Sequence, residues 1–209
     1  MTARIEHLVT SGSFSLDGGT WDVDNNVWIV GDDDECVVID AAHNVGAILA
    51  AVGDRKLVGI LCTHAHDDHI GAVAGVQAAH TAPTYLHPDD MMLWDRVYPD
   101  APPSRPLENG QHIHVAGIDL EVLHTPGHSP GAVCFHAPAL GTVFSGDTLF
   151  HGGPGATGRS FSDFPTILAS IKGKLLMLPA STVVLTGHGE STTIGAEAGH
   201  LDEWIARGH

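Results

Sequence analysis

The amino-acid sequence predicts a mixed α/β fold. Short apolar runs rich in β-branched residues, bounded by glycine, aspartate or proline, are typical of strands, and several of the stretches between them have helical apolar periodicity. The polar segment Gly31-Asp32-Asp33-Asp34 joins two neighbouring predicted strands, as in a β-hairpin. The fold is therefore not built from β-α-β units alone.

The predicted elements form strand clusters first and then alternate with helices. Strands are predicted at 27–30, 36–39, 57–62, 120–123, 132–136, 142–145 and 182–185. Helices are predicted at 45–52, 68–80, 89–97, 165–178 and 193–207. The last helix has a capping residue in Thr192 or Thr193 and a stop in Gly208.

Composition limits the function classes. A chain of 209 residues with 43% apolar residues favours one globular domain spanning residues 1–209. Only 9 Lys and Arg face 25 Asp and Glu, a formal charge of −16, which disfavours nucleic acid and anionic membranes as partners. The charged N-terminus does not resemble a signal peptide, no apolar run approaches a membrane span, and three cysteines lack C-x-x-C spacing. We expect a cytoplasmic protein that acts on a small molecule.

A dense cluster of histidines and aspartates follows the third predicted strand. His64 and His66 are two residues apart, so in an extended segment they point the same way and can hold one ion. Asp68 and His69 follow as the chain turns into a helix, and they form a second pair. The alternative is a chance cluster in a chain with 16 histidines. The pattern favours two adjacent half-sites for divalent ions.

Three later strand ends supply further candidate ligands. His128 follows the fourth predicted strand, Asp147 the sixth and His188 the seventh, each close to glycine. Loops beyond strand ends are where sites are usually built. Any one of these residues, taken alone, is better explained as an ordinary loop or turn residue. Together with the first cluster they indicate one shared site.

The ordered set of H-x-H-x-D-H, His128, Asp147 and His188 resembles the metallo-β-lactamase superfamily. The resemblance implies a four-layer αββα sandwich with a dinuclear metal site at one edge of the sheets. It assigns one ion to His64, His66 and His128, the second to Asp68, His69 and His188, and the bridge to Asp147. It also implies that Asp40 hydrogen-bonds near the site without ligating.

Within the superfamily, four stretches look like the short bacterial glyoxalase II-like hydrolases. These are residues 124–131, 144–150, 158–165 and 187–195. The resemblance implies cleavage of thioesters of a low-molecular-weight thiol, of the glutathione or mycothiol type. Two divalent ions, zinc first with iron or manganese compatible, would share Asp147 and generate a bridging hydroxide at neutral pH. Asp68 would be the catalytic residue that orients this nucleophile and relays its proton, and a thiolate leaves without a strong acid.

Three rival functions remain open. A persulfide dioxygenase of related fold would hold one iron with His64, His128 and Asp147, although retention of the second half-site favours two metals. A lactonase is a near neighbour in chemistry. A non-catalytic metal-binding or scaffold protein fits least well, because all seven ligands of an open dinuclear site are present.

A few residues outside the motif are also candidates. Arg159 is one of few cations and follows the bridging aspartate, so it is a candidate contact for a substrate carboxylate; solvent exposure alone is the alternative. His43 and His151 are candidates for the mouth of the site. Cys62 is predicted to be a buried small hydrophobe. The run Met91-Met92-Leu93-Trp94 fits the core or an oligomer contact, and the sequence leaves a homodimer open.

Overall fold

Two stacked β-sheets carry the fold in the computed structural model, which describes residues 2–208. The first sheet comprises, in spatial order, β1 (Arg4–Leu16), β2 (Gly19–Gly31), β3 (Glu35–Ile39), β4 (Lys56–Leu61), β5 (Thr84–Leu86) and β6 (Arg105–Pro106). The second sheet comprises, in reverse chain order, β14 (Thr192–Thr193), β13 (Val183–Thr186), β10 (Thr142–Gly146), β9 (Val133–Ala137), β8 (Ile118–His124) and β7 (His112–Val115). A small ribbon pairs β11 (Leu149–Phe150) with β12 (Gly153–Pro154).

Helices cover the outer face of each sheet. They are α1 (Val45–Val52), α2 (Asp67–Ile70), α3 (Val73–Ala79), α4 (Met91–Val97), α5 (Phe164–Ser170), α6 (Ile194–Glu197) and α7 (Leu201–Arg207). Short 3₁₀ turns at Pro88–Asp90, Pro138–Leu140 and Ala198–His200 and a π turn at Ile171–Leu175 complete the order. None of the helices in residues 2–208 has the length and apolarity that crossing a membrane requires.

Three apolar clusters separate the layers. Val38 on β3 packs with helix residues such as Ile48, whereas its neighbour Val37 faces the second sheet, where Phe135 lies. The third cluster joins the second sheet to α5 and α7, with Trp204 fully buried. Successive side chains of a strand point to opposite faces, so central strands with both faces covered are apolar throughout. The helix–sheet–sheet–helix order confirms the predicted αββα sandwich.

Backbone hydrogen bonds join the two sheets at one edge. Val133 N donates to Thr63 O at 2.8 Å, and Asn26 N donates to Gly187 O at 2.8 Å. Strands β3 and β4 are parallel, as are β10 and β13, so their carboxyl ends meet at this edge. The loops that follow these strands therefore lie together.

The structure corrects several predicted elements. The long edge strand β1 was not predicted, because its residues alternate between exposed and partly buried and include serine and glycine. The predicted helix 68–80 is divided into α2 and α3, where Ala72 N donates to Ala41 O at 2.9 Å and redirects the chain. The predicted helices 165–178 and 193–207 are also interrupted, by the π turn and a 3₁₀ turn.

Other local predictions are confirmed. Gly31-Asp32-Asp33-Asp34 connects the antiparallel strands β2 and β3. Thr193 caps α6 by accepting from Ala196 N at 3.1 Å, and Gly208 ends α7 in the left-handed region. Cys62 is fully buried, and burial raises its pKa well above the usual thiol value.

Candidate metal centre

Seven side chains converge where the two sheets meet. They are His64 and His66 after β4, Asp68 and His69 in α2, His128 after β8, Asp147 after β10 and His188 after β13. All seven were named from the sequence, and the structure brings all seven together. Six are buried or nearly so, whereas the side chain of His188 is 26% exposed and borders the solvent.

Three histidines form the first half of the centre. His66 Nδ1 lies 3.0 Å from His64 Nε2 and 3.0 Å from His128 Nε2. The rings of His64 and His128 stand almost perpendicular to each other and to His66, at 85–86°. Three ring nitrogens thus meet around one point, as tetrahedral coordination with an open position requires.

The second half combines two histidines with a carboxylate. His69 Nε2 lies 3.2 Å from His188 Nε2, and Asp68 Oδ2 lies 3.3 Å from His188 Nε2. Asp147 reaches both halves, because its Oδ2 is 3.5 Å from His128 Nε2 and its Oδ1 is 3.4 Å from His69 Nε2. Its position between the halves suits a bridging ligand.

The outer nitrogens of three histidines have partners that only accept hydrogen bonds. His128 Nδ1 donates to Ala156 O at 2.9 Å, and His188 Nδ1 donates to Asp24 O at 2.7 Å. His69 Nδ1 donates to a carboxylate oxygen of Asp40 at 2.9 Å. Once an incoming ion has displaced any proton from Nε2, a ring that donates through Nδ1 presents the lone pair of Nε2 to the centre.

Some of the buried acceptor atoms in the centre therefore have no hydrogen-bond donor in the described part of the chain. Among residues 2–208, the buried carboxylate oxygens Asp68 Oδ1 and Asp147 Oδ1 have no hydrogen-bond partner. Leaving such atoms unpaired costs about 1–3 kcal/mol each, and more when they are charged. Divalent cations remove this cost for the inward-facing lone pairs and carboxylate oxygens, so the residues fit two metal ions.

The two halves differ in electrostatics. Burial and the nearby His128 hold the pKa of His66 at about 3. Burial also acts on His188, but Asp147 and Asp68 outweigh it and raise the pKa of this ring to about 10. For His69 the surrounding carboxylates likewise outweigh burial and raise the pKa well above its usual value. The carboxylate-containing half thus attracts positive charge strongly.

Asp40 forms hydrogen bonds beside the centre, as the resemblance implied. It lies close enough to His64 and His69 to complete a third ligand group. However, Asp40 Oδ1 accepts from Thr63 N at 2.7 Å, and its Oδ2 accepts from Thr63 Oγ1 at 2.7 Å as well as from His69. Its left-handed backbone, with φ of 55°, is uncommon for a residue other than glycine and places the carboxylate beneath α2.

Two buried residues that sequence reasoning missed also build the centre. Asp90, fully buried, accepts from Ala65 N at 3.0 Å, Ser129 Oγ at 2.7 Å and Gly131 N at 2.6 Å. It thereby ties the first histidine segment to the loop that carries His128. In sequence, Asp90 looked like an ordinary acidic residue at the start of a helix.

Asn25 is the second residue that the sequence did not reveal. It is fully buried in β2, and its Nδ2 donates to Asp68 Oδ2 at 3.0 Å. The only signal in sequence was a polar pair, Asn25-Asn26, just before an apolar strand.

A pocket of about 250 Å³ opens above the centre. Phe14 and Trp21 from the β1–β2 hairpin supply apolar lining, and Arg159 and candidate metal ligands such as His188 also line the pocket. The Arg159 guanidinium carbon is 3.8 Å from the Trp21 ring centroid, and within residues 2–208 this side chain forms no ion pair.

His43 and His151, the two candidates for the mouth, do not line the pocket among the residues described. His43 Nε2 instead reaches Asn25 Oδ1 at 2.7 Å, because the left-handed backbone of His43 directs the ring inward. His151 lines a separate depression beside α7. The core interpretation of the Met91–Trp94 run holds for Leu93 and Trp94, which are 2% exposed.

Comparison with known proteins places these features in a family. The family model described as the Metallo-beta-lactamase superfamily matches residues 20–188. Hydroxyacylglutathione hydrolase GloC of Haemophilus influenzae is 30% identical over 82% of this chain and 89% of its own.

Two solved structures are similar in both sequence and fold. The BLEG-1 B3 metallo-beta-lactamase is 32% identical with a TM-score of 0.78, covering 91% of this chain and 97% of that chain. TTHA1623, solved in a di-iron-bound form, is 40% identical with a TM-score of 0.73, covering 84% and 93%.

Proposed function

The chain belongs to the metallo-β-lactamase superfamily, and on that premise we propose that it is a dinuclear metal-dependent hydrolase that cleaves thioesters of a low-molecular-weight thiol. The observation that carries the proposal is the pair of ligand groups that share Asp147. The thiol is of the glutathione or mycothiol type. Similarity to a hydroxyacylglutathione hydrolase supports this substrate class.

The residues that would hold the ions are those the geometry groups together. His64, His66 and His128 would hold one, Asp68, His69 and His188 the other, and Asp147 both. Bound divalent ions supply a Lewis acid for a carbonyl and lower the pKa of water toward neutrality. Imidazole and carboxylate donors suit zinc, which we propose first, and also iron and manganese. The di-iron form of TTHA1623 supports iron as the alternative.

Asp68 is the carboxylate that we propose to orient the attacking water and relay its proton. Burial raises its pKa, but His69 and His188 outweigh burial and hold the pKa at about 2. The carboxylate is therefore ionised at neutral pH, and its buried Oδ1 has no hydrogen-bond partner among the described residues. That oxygen can accept the proton of an attacking water molecule.

The pocket favours substrates with a good leaving group. Apart from the candidate metal ligands, its described lining residues include no histidine, lysine, tyrosine or cysteine that could protonate a departing group. A thiol with a pKa near 8.5 leaves as the thiolate without such help, whereas an amine would need a proton. Thioesters therefore fit this pocket better than amides.

The mouth fits a thiol carrier with both apolar and anionic parts. Phe14 and Trp21 offer apolar surface, and Arg159 is the only lysine or arginine among the described lining residues. An unpaired guanidinium beside a pocket can bind a carboxylate in a bidentate manner. We propose that Arg159 meets a carboxylate of the substrate.

The test combines metal content with substrate choice. Protein purified without added metal is analysed for its elements and assayed with S-lactoylglutathione and with an acyl-mycothiol. About two ions per chain together with thioester cleavage, lost in Asp68→Asn, is the expected result. Cleavage of nitrocefin or a homoserine lactone but not of thioesters would overturn the substrate class. One iron per chain with oxygen uptake on a persulfide would overturn the hydrolase.

A further inference from the structure

We propose that His43 and Asn25 are positioning residues that set the metal affinity of the half-site formed by Asp68, His69 and His188. The inference rests on the proposed dinuclear function, because it concerns how one of the two ions is retained. Neither residue belongs to the ligand groups, and neither lines the pocket among the residues described.

A directed chain of hydrogen bonds links the two residues to Asp68. Asn25 Nδ2 lies 3.0 Å from Asp68 Oδ2, and Asn25 Oδ1 lies 2.7 Å from His43 Nε2. An ionised carboxylate only accepts hydrogen bonds, so the amide must turn its NH₂ group toward Asp68. The amide oxygen then faces His43, which must donate through Nε2. Each bond in the chain thereby fixes the direction of the next.

This chain of hydrogen bonds contacts only one half of the centre. Asn25 Nδ2 also lies 3.5 Å from His188 Nε2, so the amide adjoins two of the three ligands in that half. The other half has different outer partners; for example, His128 Nδ1 donates to Ala156 O at 2.9 Å. Loss of the chain should therefore affect the two ions unequally.

The backbone is arranged to place the His43 ring. His43 has a φ of 49°, in the left-handed region that costs a residue other than glycine about 1–2 kcal/mol. Across from it, a Cβ on Gly12 would lie 2.1 Å from His43 Nδ1, so only glycine at position 12 leaves room for the ring. His43 is strained, and the residue opposite it must be glycine. This arrangement indicates that the contact between His43 and Asn25 has a role beyond filling space.

The chain of hydrogen bonds fixes one carboxylate oxygen of Asp68 and leaves the other without a bond within residues 2–208. Oδ2 is bonded to Asn25, whereas Oδ1 has no hydrogen-bond partner among the described residues. Without the amide, the carboxylate can rotate about its last side-chain bond, and ion binding must then freeze that rotation. Partners of this kind typically contribute 10–100-fold to metal affinity.

The experiment measures two zinc dissociation constants by competition with a chromophoric chelator, in the metal-free protein without substrate. Asn25→Ala and His43→Phe are expected to weaken one constant by roughly 10–100-fold and to leave the other within about twofold. His43→Gln, which keeps a donor at a similar place, should recover most of the loss. A general effect of a buried substitution would not be rescued in this way.

The matched control is His136→Phe, the same substitution at a half-buried histidine on β9 that faces Glu121 at 3.8 Å. It should leave both constants unchanged. Equal weakening of both constants, or no change in either, would overturn the inference, as would a wild-type chain that binds one ion. Because no substrate is present, failure to cleave thioesters would overturn the proposed function while this comparison still stands.

Discussion

The guanidinium of Arg159 lies over the indole of Trp21, with its carbon 3.8 Å from the ring centroid. Such a contact orients the planar guanidinium group and leaves its N–H groups available for hydrogen bonds. Only nine lysines and arginines occur in a chain of net charge −16, so a cation at the pocket is unlike the rest of the molecule. The side chain is thus pre-oriented for the substrate carboxylate that we propose it meets.

We expect Arg159→Ala to raise KM for a carboxylate-bearing thioester by about 10–150-fold, because a charge-assisted hydrogen bond contributes about 1.5–3 kcal/mol. The value of kcat should stay within about twofold, since the contact is remote from the reacting carbonyl. Steady-state kinetics with a charged and an amidated substrate check this. Arg96→Ala is the control, since Arg96 lines a neighbouring depression and lies over Phe161. Equal effects on both substrates would contradict the carboxylate contact.

The high pKa of His188 has a consequence for metal binding. With a pKa of about 10 in the metal-free protein, its ring carries a proton at pH 7 that an incoming ion must displace. Metal affinity should therefore fall as pH decreases from 10. Calorimetric titration in two buffers of different ionisation enthalpy should show at least one proton released when the second half-site fills. Heats that do not depend on the buffer would contradict this.

At the scale of elements, Asp90 joins loops from the two sheets through three hydrogen bonds. Asp90→Ala should leave three buried donors unsatisfied and lower the free energy of unfolding by about 3 kcal/mol or more. Urea denaturation of the metal-free protein measures the change. Its neighbour Asp89, with a side chain 60% exposed, is the control, and Asp89→Ala should change stability by less than about 0.5 kcal/mol. Similar values for the two variants would show that the bonds of Asp90 are weak.

The strand ends explain why the ligands were predictable from the sequence. Each ligand follows an apolar run such as 57–62 or 142–145, and parallel strands bring such ends to one edge. The edge strand β1 was missed because one of its faces is exposed and its pattern is therefore weak. Helix ends were misjudged where tertiary contacts intervene, as at Ala72, whose backbone bonds to Ala41 rather than continuing α2.

Residues that orient the ligands were beyond the sequence for a different reason. Asn25 and Asp68 are 43 positions apart, and Asp90 and Gly131 are 41 apart, so no local pattern relates them. The sequence left open whether His43 lies at the mouth, because its left-handed backbone, which directs the ring inward, leaves no mark in the sequence. The candidate ligands could thus be predicted from local motifs. The residues that orient them could not, because their contacts form only in the assembled fold.

At the scale of the molecule, the candidate metal centre draws its residues from loops of both sheets. Ions bound to the folded chain alone stabilise it by mass action, by about 4 kcal/mol at a thousandfold excess over Kd. For a chain of this size that corresponds to a rise in Tm of about 8–16 °C. Calorimetry with and without a chelator should show this difference as one cooperative transition, in keeping with the single domain we propose. The Asp147→Ala variant should lose most of this increase in Tm. A wild-type Tm that does not change on chelation would contradict the expected stabilisation by ions.

The position of Trp21 gives the protein an intrinsic fluorescence signal that reports on the pocket. Of the four tryptophans, Trp28, Trp94 and Trp204 are 6%, 2% and 1% exposed, whereas Trp21 is 38% exposed at the pocket. Emission from the three buried indoles should be insensitive to what enters the pocket. Changes in intrinsic fluorescence on mixing with a ligand should therefore come mainly from Trp21. Arrival and departure of substrate can be timed in the unlabelled protein.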